Sequence, residues 1–232
     1  MTLLSIAQEV LQQTKSATVP TTIVGNNQTV AVQVLEVLKR SIINLARSYY
    51  WQELLKEYSF NAVASQNNYN LPSDFDRMVN NSFWNTTAKR EMIGSTTPQD
   101  WRELVNSTVG SGAVLEYYRV RSNEILIYPT PTSTNGYVFE YVSNNLVKSS
   151  GGADQTSWLA DTDISVIDEY ILKLDATWNL LKVQGRPYAE DQRTANLALA
   201  ERMSINAGRQ TVRHKATRLR NGKIGYPEII TI

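Results

Sequence analysis

Cysteine is absent from this 232-residue chain, and histidine occurs once. The first absence removes disulfides, iron–sulfur clusters, thiolate zinc sites and cysteine nucleophiles together. The second leaves little for histidine metal sites or imidazole acid–base chemistry. Charge is sparse as well: 19% of the residues are charged, against about 25% in ordinary globular domains. The 23 basic and 22 acidic side chains leave a net charge of +1. No stretch approaches the roughly 18 consecutive apolar residues of a membrane helix. The first ten residues, with Glu9 and no basic start, do not read as a secretion signal. Phosphate-loop, dinucleotide, zinc-protease and nucleophile-elbow motifs are all missing, and the Gly222-Lys223 pair lacks the flanking residues of a phosphate loop. What is present is an apolar fraction of 42%, enough for a substantial core. The composition argues against an enzyme, a resident cofactor or a metal centre, and against a membrane protein.

Hydrophobic periodicity divides the chain. Leu3, Ile6, Ala7, Val10 and Leu11 recur at helical spacing. A longer helix is expected over residues 28–53, capped by Asn27, with Val34, Leu38, Ile42, Leu45 and Tyr49 on one face. From residue 58 onward the pattern changes to short strands. Tyr58–Ala62 with Tyr69–Leu71 suggests one hairpin, and Val114–Val120 with Glu124–Tyr128 a clearer second. Tyr137–Val142 alternates after the turn pair Asn135-Gly136. Thr97-Pro98-Gln99-Asp100 has the form of a capped helix start, so a short helix over 98–105 interrupts the strands. After Gly151-Gly152 helical spacing returns with Ile164, Ile167, Ile171, Leu174, Trp178 and Leu181, ending at Gly185. Pro187 opens a last helix carrying Leu197, Ala200, Met203 and Ala207.

Two helices before the strands and two after them most simply make one four-helix bundle. The expected fold is therefore α+β: a bundle from residues 1–57 and 153–208, an inserted antiparallel β region with one short helix at 58–152, and an extended arm at 209–232. The arm is distinct in charge. Six basic residues (Arg209, Arg213, Lys215, Arg218, Arg220, Lys223) against Glu228 give it net +5, whereas residues 1–208 carry 17 basic and 21 acidic side chains, net −4. Its end is apolar, with Tyr226, Ile229, Ile230 and Ile232. Docking on an acidic protein partner fits charge and isoleucines together. A nucleic-acid-binding module using the same charges is the alternative.

Two further groups invite a functional reading. Asp161 and Asp163, near Asp168 and Glu169, offer oxygen ligands for a hard cation, but capping of the helix that follows explains them better. Tyrosines and tryptophans concentrate in the β region, where Tyr117, Tyr118, Tyr137 and Tyr141 are candidate subunit-interface residues. Neighbours in a strand point to opposite faces, so one of Tyr117 and Tyr118 faces away from the local core.

The order of these features resembles a known family. Asn67–Met78 (NNYNLPSDFDRM) followed by Phe83-Trp84, the strand Ile125–Tyr128 running into Pro129-Thr130-Pro131, the strand Tyr137–Val142, and Trp158-Leu159 with Asp161–Asp163 before a helical pair are similar to stretches in head-to-tail adaptors of short-tailed phages, of the tail tubular protein A and tail accessory factor type. That resemblance implies a non-enzymatic virion protein at the neck of the particle, assembled in the host cytoplasm. It implies a self-assembled ring, commonly of twelve copies, beneath the portal protein. The ring would extend the channel for genomic DNA and offer a platform to tail nozzle or tail-fibre proteins, with residues 209–232 as the portal-docking arm.

Overall fold

The computed structural model describes residues 1–16, 18–94, 96–106 and 115–206. Helix α1 (Leu3–Gln13) starts where the Thr2 hydroxyl accepts the Ser5 N–H. Helix α2 (Thr29–Ser48) is shorter than its sequence pattern suggested. Asn27 is not its cap: Gln28 holds that position without a side-chain bond, and Asn26 Oδ1 accepts the Gln28 N–H at 2.9 Å. The helix stops at Ser48, and Trp51 folds back underneath, its indole N–H donating to the Leu45 carbonyl at 2.7 Å.

A single 3-10 turn (Gln52–Leu54) leads into the strands, β1 (Leu55–Asn61), β2 (Asn68–Asn70), β3 (Phe75–Met78), β4 (Trp84–Asn85) and β5 (Arg90–Glu91). Helix α3 (Pro98–Asn106) follows, with the Asp100 N–H bonded to Thr97 Oγ1 as its sequence promised. Then come β6 (Tyr117–Arg121), β7 (Glu124–Tyr128), β8 (Gly136–Ser143), β9 (Val147–Lys148), β10 (Asp154–Gln155) and β11 (Ile164–Ser165), and finally α4 (Glu169–Val183) and α5 (Ala189–Asn206).

The α+β class stands, but the expected four-helix bundle with a β insertion does not form. The described residues contain five helices and three antiparallel sheets. The buried helical core is built by α1, α2 and α4 together with Trp51, Val142, Leu146, Val147 and Trp158, while α5 adds only half-buried Leu199 and Met203 to it. The reason lies in the α5 sequence, whose apolar residues are spread around the axis. Ala195, Leu199 and Met203 turn inward; Leu197, expected in the core, and Ile205 remain 64% and 62% exposed. A helix without one apolar stripe cannot serve as a full member of a bundle.

Strand β8 organises the β half. β1 pairs with it over seven residues, from Leu55 opposite Val142 to Asn61 opposite Gly136. On its other edge β3 and β4 pair with its two ends in tandem. The hairpin expected between Tyr58–Ala62 and Tyr69–Leu71 does not exist, because β2 pairs instead with β7. The β6–β7 hairpin is present, turning at Ser122 with φ +57°. Tyr137, Phe139 and Tyr141 of β8 enter an aromatic core with Tyr69, Phe83 and Tyr118, and Val142 enters the helical core. One strand thus joins both cores.

Candidate assembly surface

The arm residues Arg209, Arg213, Lys215, Arg218, Arg220, Lys223, Tyr226, Ile229, Ile230 and Ile232 lie outside the described residues. The last residue described before them is Asn206, at the end of α5. Helix α5 ends on the turn that joins α2 to β1. Gln52 donates its side-chain amide to the Asn206 carbonyl at 2.9 Å, and Asn206 Nδ2 donates to Glu53 Oε2 at 3.1 Å. One turn earlier Arg202 pairs with Glu53 at 2.7 Å and with Asp168, the α4 N-cap, at 3.4 Å. Asn206 is buried, so its amide would be costly without these partners. Four side chains from three chain segments thereby fix the position of residue 206. Nothing local in the sequence marks Gln52 or Glu53 for this role, since their partners lie about 150 residues further on.

The candidate interface tyrosines divide in two. Tyr118, Tyr137 and Tyr141 are buried in the aromatic core and present no surface to a neighbour. Phe83 meets Tyr118 edge-on, with ring centroids 4.9 Å apart, and Phe60 stacks on Tyr137 at 5.5 Å. Tyr117 is half-buried, on the opposite side of β6 from Tyr118, as strand alternation requires.

Buried Glu116 and Asn85 in this half are matched. Glu116 takes Arg90 at 2.6 Å and the buried Asn85 amide at 2.8 Å. Burial, with Glu116 nearby, pushes the Tyr137 hydroxyl up to about 12. At the seam between the two cores Asp74 accepts hydrogen bonds from Lys56 Nζ (2.8 Å), Ser143 Oγ (2.8 Å) and Tyr141 Oη (2.9 Å). Lys56 also reaches Asp154 at 2.7 Å. Burial alone would raise the Asp74 carboxyl, but those bonds and the Lys56 charge outweigh it and hold the carboxyl below its usual range. Lys56 is held protonated well above its ordinary value: burial opposes this, and its two carboxylate partners win. Burial and the bond to Asp74 push Tyr141 up to about 12. Next door, Arg77 Nη2 donates to the carbonyls of Ala46 and Tyr49, both at 2.9 Å, and so supplies a cation to the C-terminal end of α2.

The acidic group around residue 161 is also structural, in a way the sequence did not show. Asp161 accepts the Ile23 and Val24 N–H groups at 3.0 and 2.7 Å, and Asp163 accepts those of Leu159 and Ala160, both at 2.8 Å. Neither side chain caps the helix that follows; Asp168 does, seven and five residues later, while the Asp163 and Asp161 carbonyls accept the Leu3 and Leu4 N–H groups at the start of α1. Among the described residues no group of three or more His, Asp or Glu side chains is placed to hold a metal ion. Among them no helix is long and apolar enough to cross a membrane.

The polar clusters of the described residues thus brace the fold and hold the end of α5. Comparison with curated proteins finds no match. A family model for the SU10 adaptor protein matches residues 1–222, and so includes both cores and most of the basic segment. With that match spanning nearly the whole length, the chain belongs to the SU10 adaptor protein family, a family of phage structural adaptors.

Proposed function

We propose that the chain assembles as a ring, commonly of twelve copies in such adaptors, that docks under the portal protein at the neck of the virion. The ring extends the channel for genomic DNA and gives tail nozzle or fibre proteins their platform. The observation that carries this reading is the family match over residues 1–222. The fixed end of α5 supports it, because Asn206, three residues before the arm, is held on the turn that joins α2 to β1. The organisation into a helical and bracing part (1–57 with 153–208), a β-rich part (58–152) and an arm (209–232) follows the same division of labour.

Residues 209–232 carry net +5 and end in isoleucines, against net −4 for the rest. An arm of that kind has a reason to settle on an acidic, apolar-lined groove of a partner and little reason to pack on its own core. An arm that orders only on its partner delays assembly until the partner is present, at a cost in chain entropy recovered in the interface. Native mass spectrometry of the chain, alone and mixed with the portal ring of the same phage, tests the reading. Stoichiometric loading that disappears when residues 209–232 are deleted supports it. A chain that ignores the portal, yet binds DNA with a steep salt dependence abolished by replacing Arg213, Arg218 and Arg220, would favour the nucleic-acid reading instead.

A further inference from the structure

A ring built from one kind of chain needs two different, complementary patches on separate sides of each copy. Helices α2 and α5 supply such a pair. Both pack on α4, which carries buried residues around much of its circumference (Ile171, Leu172, Ala176, Thr177, Leu180, Leu181), as a helix covered on more than one side must. Each of the two outer helices leaves large apolar side chains uncovered. On α2, Val32 and Ile43 are 46% and 41% exposed, on the face opposite Val34, Leu38 and Leu45. On α5, Leu197 and Ile205 are still more exposed, with Ala200 between them.

The two faces have opposite charge. Arg40 and Arg47 flank Ile43 and make no ion pair among the described residues, while Glu36, the acid on that face, is already paired with Lys39 at 2.9 Å. Glu190 and Glu201 flank Leu197 and likewise have no ion-pair partner among the described residues, against Arg193 as the exposed cation of α5. The α2 face also has a receptor. A groove of about 200 Å³ opens beside Ile43 and Ala46, lined by Val142 and Leu146 together with Arg47, Asp76 and the polar Ser143–Asn144 segment. That is room for a leucine side chain, given that an apolar cavity of about 150 Å³ accommodates benzene.

We infer that the outer face of α5 in one copy docks on the outer face of α2 in the next, with Leu197 seated at the groove beside Ile43 and the α5 acids facing Arg40 and Arg47. The occupant of each face is thus a second copy of this chain, and the contact is head-to-tail. This inference rests on the ring reading and names the surfaces that reading needs.

The absence of cysteine makes the test direct. Ile43→Cys and Leu197→Cys are introduced into the full chain singly and together, and the protein is assembled with its portal ring and treated with a short thiol cross-linker. The double variant is expected to give a ladder of covalent multimers. Each single variant alone should give none, and an equal mixture of the two should give dimers and nothing larger. In a second arm, Arg40→Glu with Arg47→Glu should abolish ring formation, and adding Glu190→Lys with Glu201→Lys should restore it. A ring that forms by native mass but yields no ladder, or in which either single variant cross-links to itself, overturns this interface and leaves the ring reading intact. A wild-type chain that stays monomeric with and without the portal overturns both.

Discussion

Replacing Asp74 by asparagine removes the charge that Lys56, Tyr141 and Ser143 all address at the seam of the two cores. Because Lys56 is partly exposed, the expected loss is modest, about 1–2 kcal/mol at neutral pH, read as a shift in the urea midpoint. Its pH dependence has a definite sign. The folded carboxyl titrates below the ordinary value of 3.8, so its contribution is complete above that value and is lost as pH falls through the folded pKa. Wild type and Asp74→Asn should therefore converge in acid. Tyr141 behaves in the opposite direction. Its hydroxyl titrates at about 12 in the folded protein against 10.0 unfolded, so its contribution is complete below pH 10 and fades as pH rises toward 12. Tyr141→Phe should unfold less steeply over that alkaline range, and identical profiles for the two proteins would refute the assignment. Residues of this kind are hard to read in sequence. Asp161, Asp163 and Asp168 all look like caps, yet Asp161 serves an N–H pair at Ile23 and Val24, nearly 140 residues back. A carboxylate announces that it needs donors, not where they are.

At the scale of elements, two glycines separate conformational strain from contact. Gly185 ends α4 at φ +68°, with open space where a Cβ would stand. Gly185→Ala should cost about 1 kcal/mol through its backbone alone. At Gly94 a Cβ would press into the Tyr118 backbone carbonyl, and backbone cannot yield as a flexible side chain can. Gly94→Ala should cost more, roughly 1–3 kcal/mol, and should disturb the β6 edge where Ile93 bridges Tyr117. Thermal melts of the two variants check the order. Elements with a local code were legible: the α2 stripe, the Thr97 cap of α3, the turn of β6–β7 and the Gly185 stop. Pairing across distance was not. The alternation in β1 shows that one face is buried but not which strand lies beside it, and its partner is β8, about 80 residues on. The α5 error has the same origin, since Leu197 and Leu199 are equally apolar and only the position of α4 decides which turns inward.

For the whole molecule, the α+β class, the change from helix to strand near residue 58 and the charge break at residue 209 were all present in composition and period. The number of cores and the role of β8 were not, because both depend on contacts between distant segments. The arm adds a prediction at this scale. An arm of net +5 that ends in isoleucines and docks on a partner adds little to the fold of the free chain, so a chain ending at residue 208 should melt within about 2 °C of the full-length protein, no more than the shift that a loss of 1 kcal/mol produces. Loss of the cooperative transition on that deletion would contradict the assignment of 209–232 as an arm.

The central place of β8 also sets a clock. A ribosome makes β1, β3 and β4 before it reaches Gly136, and none of these strands meets its β8 partner until that strand has emerged. Helices α1 and α2 wait longer still, for α4 to supply Ile171, Leu172 and Leu180. At about 5–20 residues per second, β1 stays unpaired for on the order of 5–20 s after it is made. That interval, more than any property of the finished protein, is when the chain has most need of a chaperone.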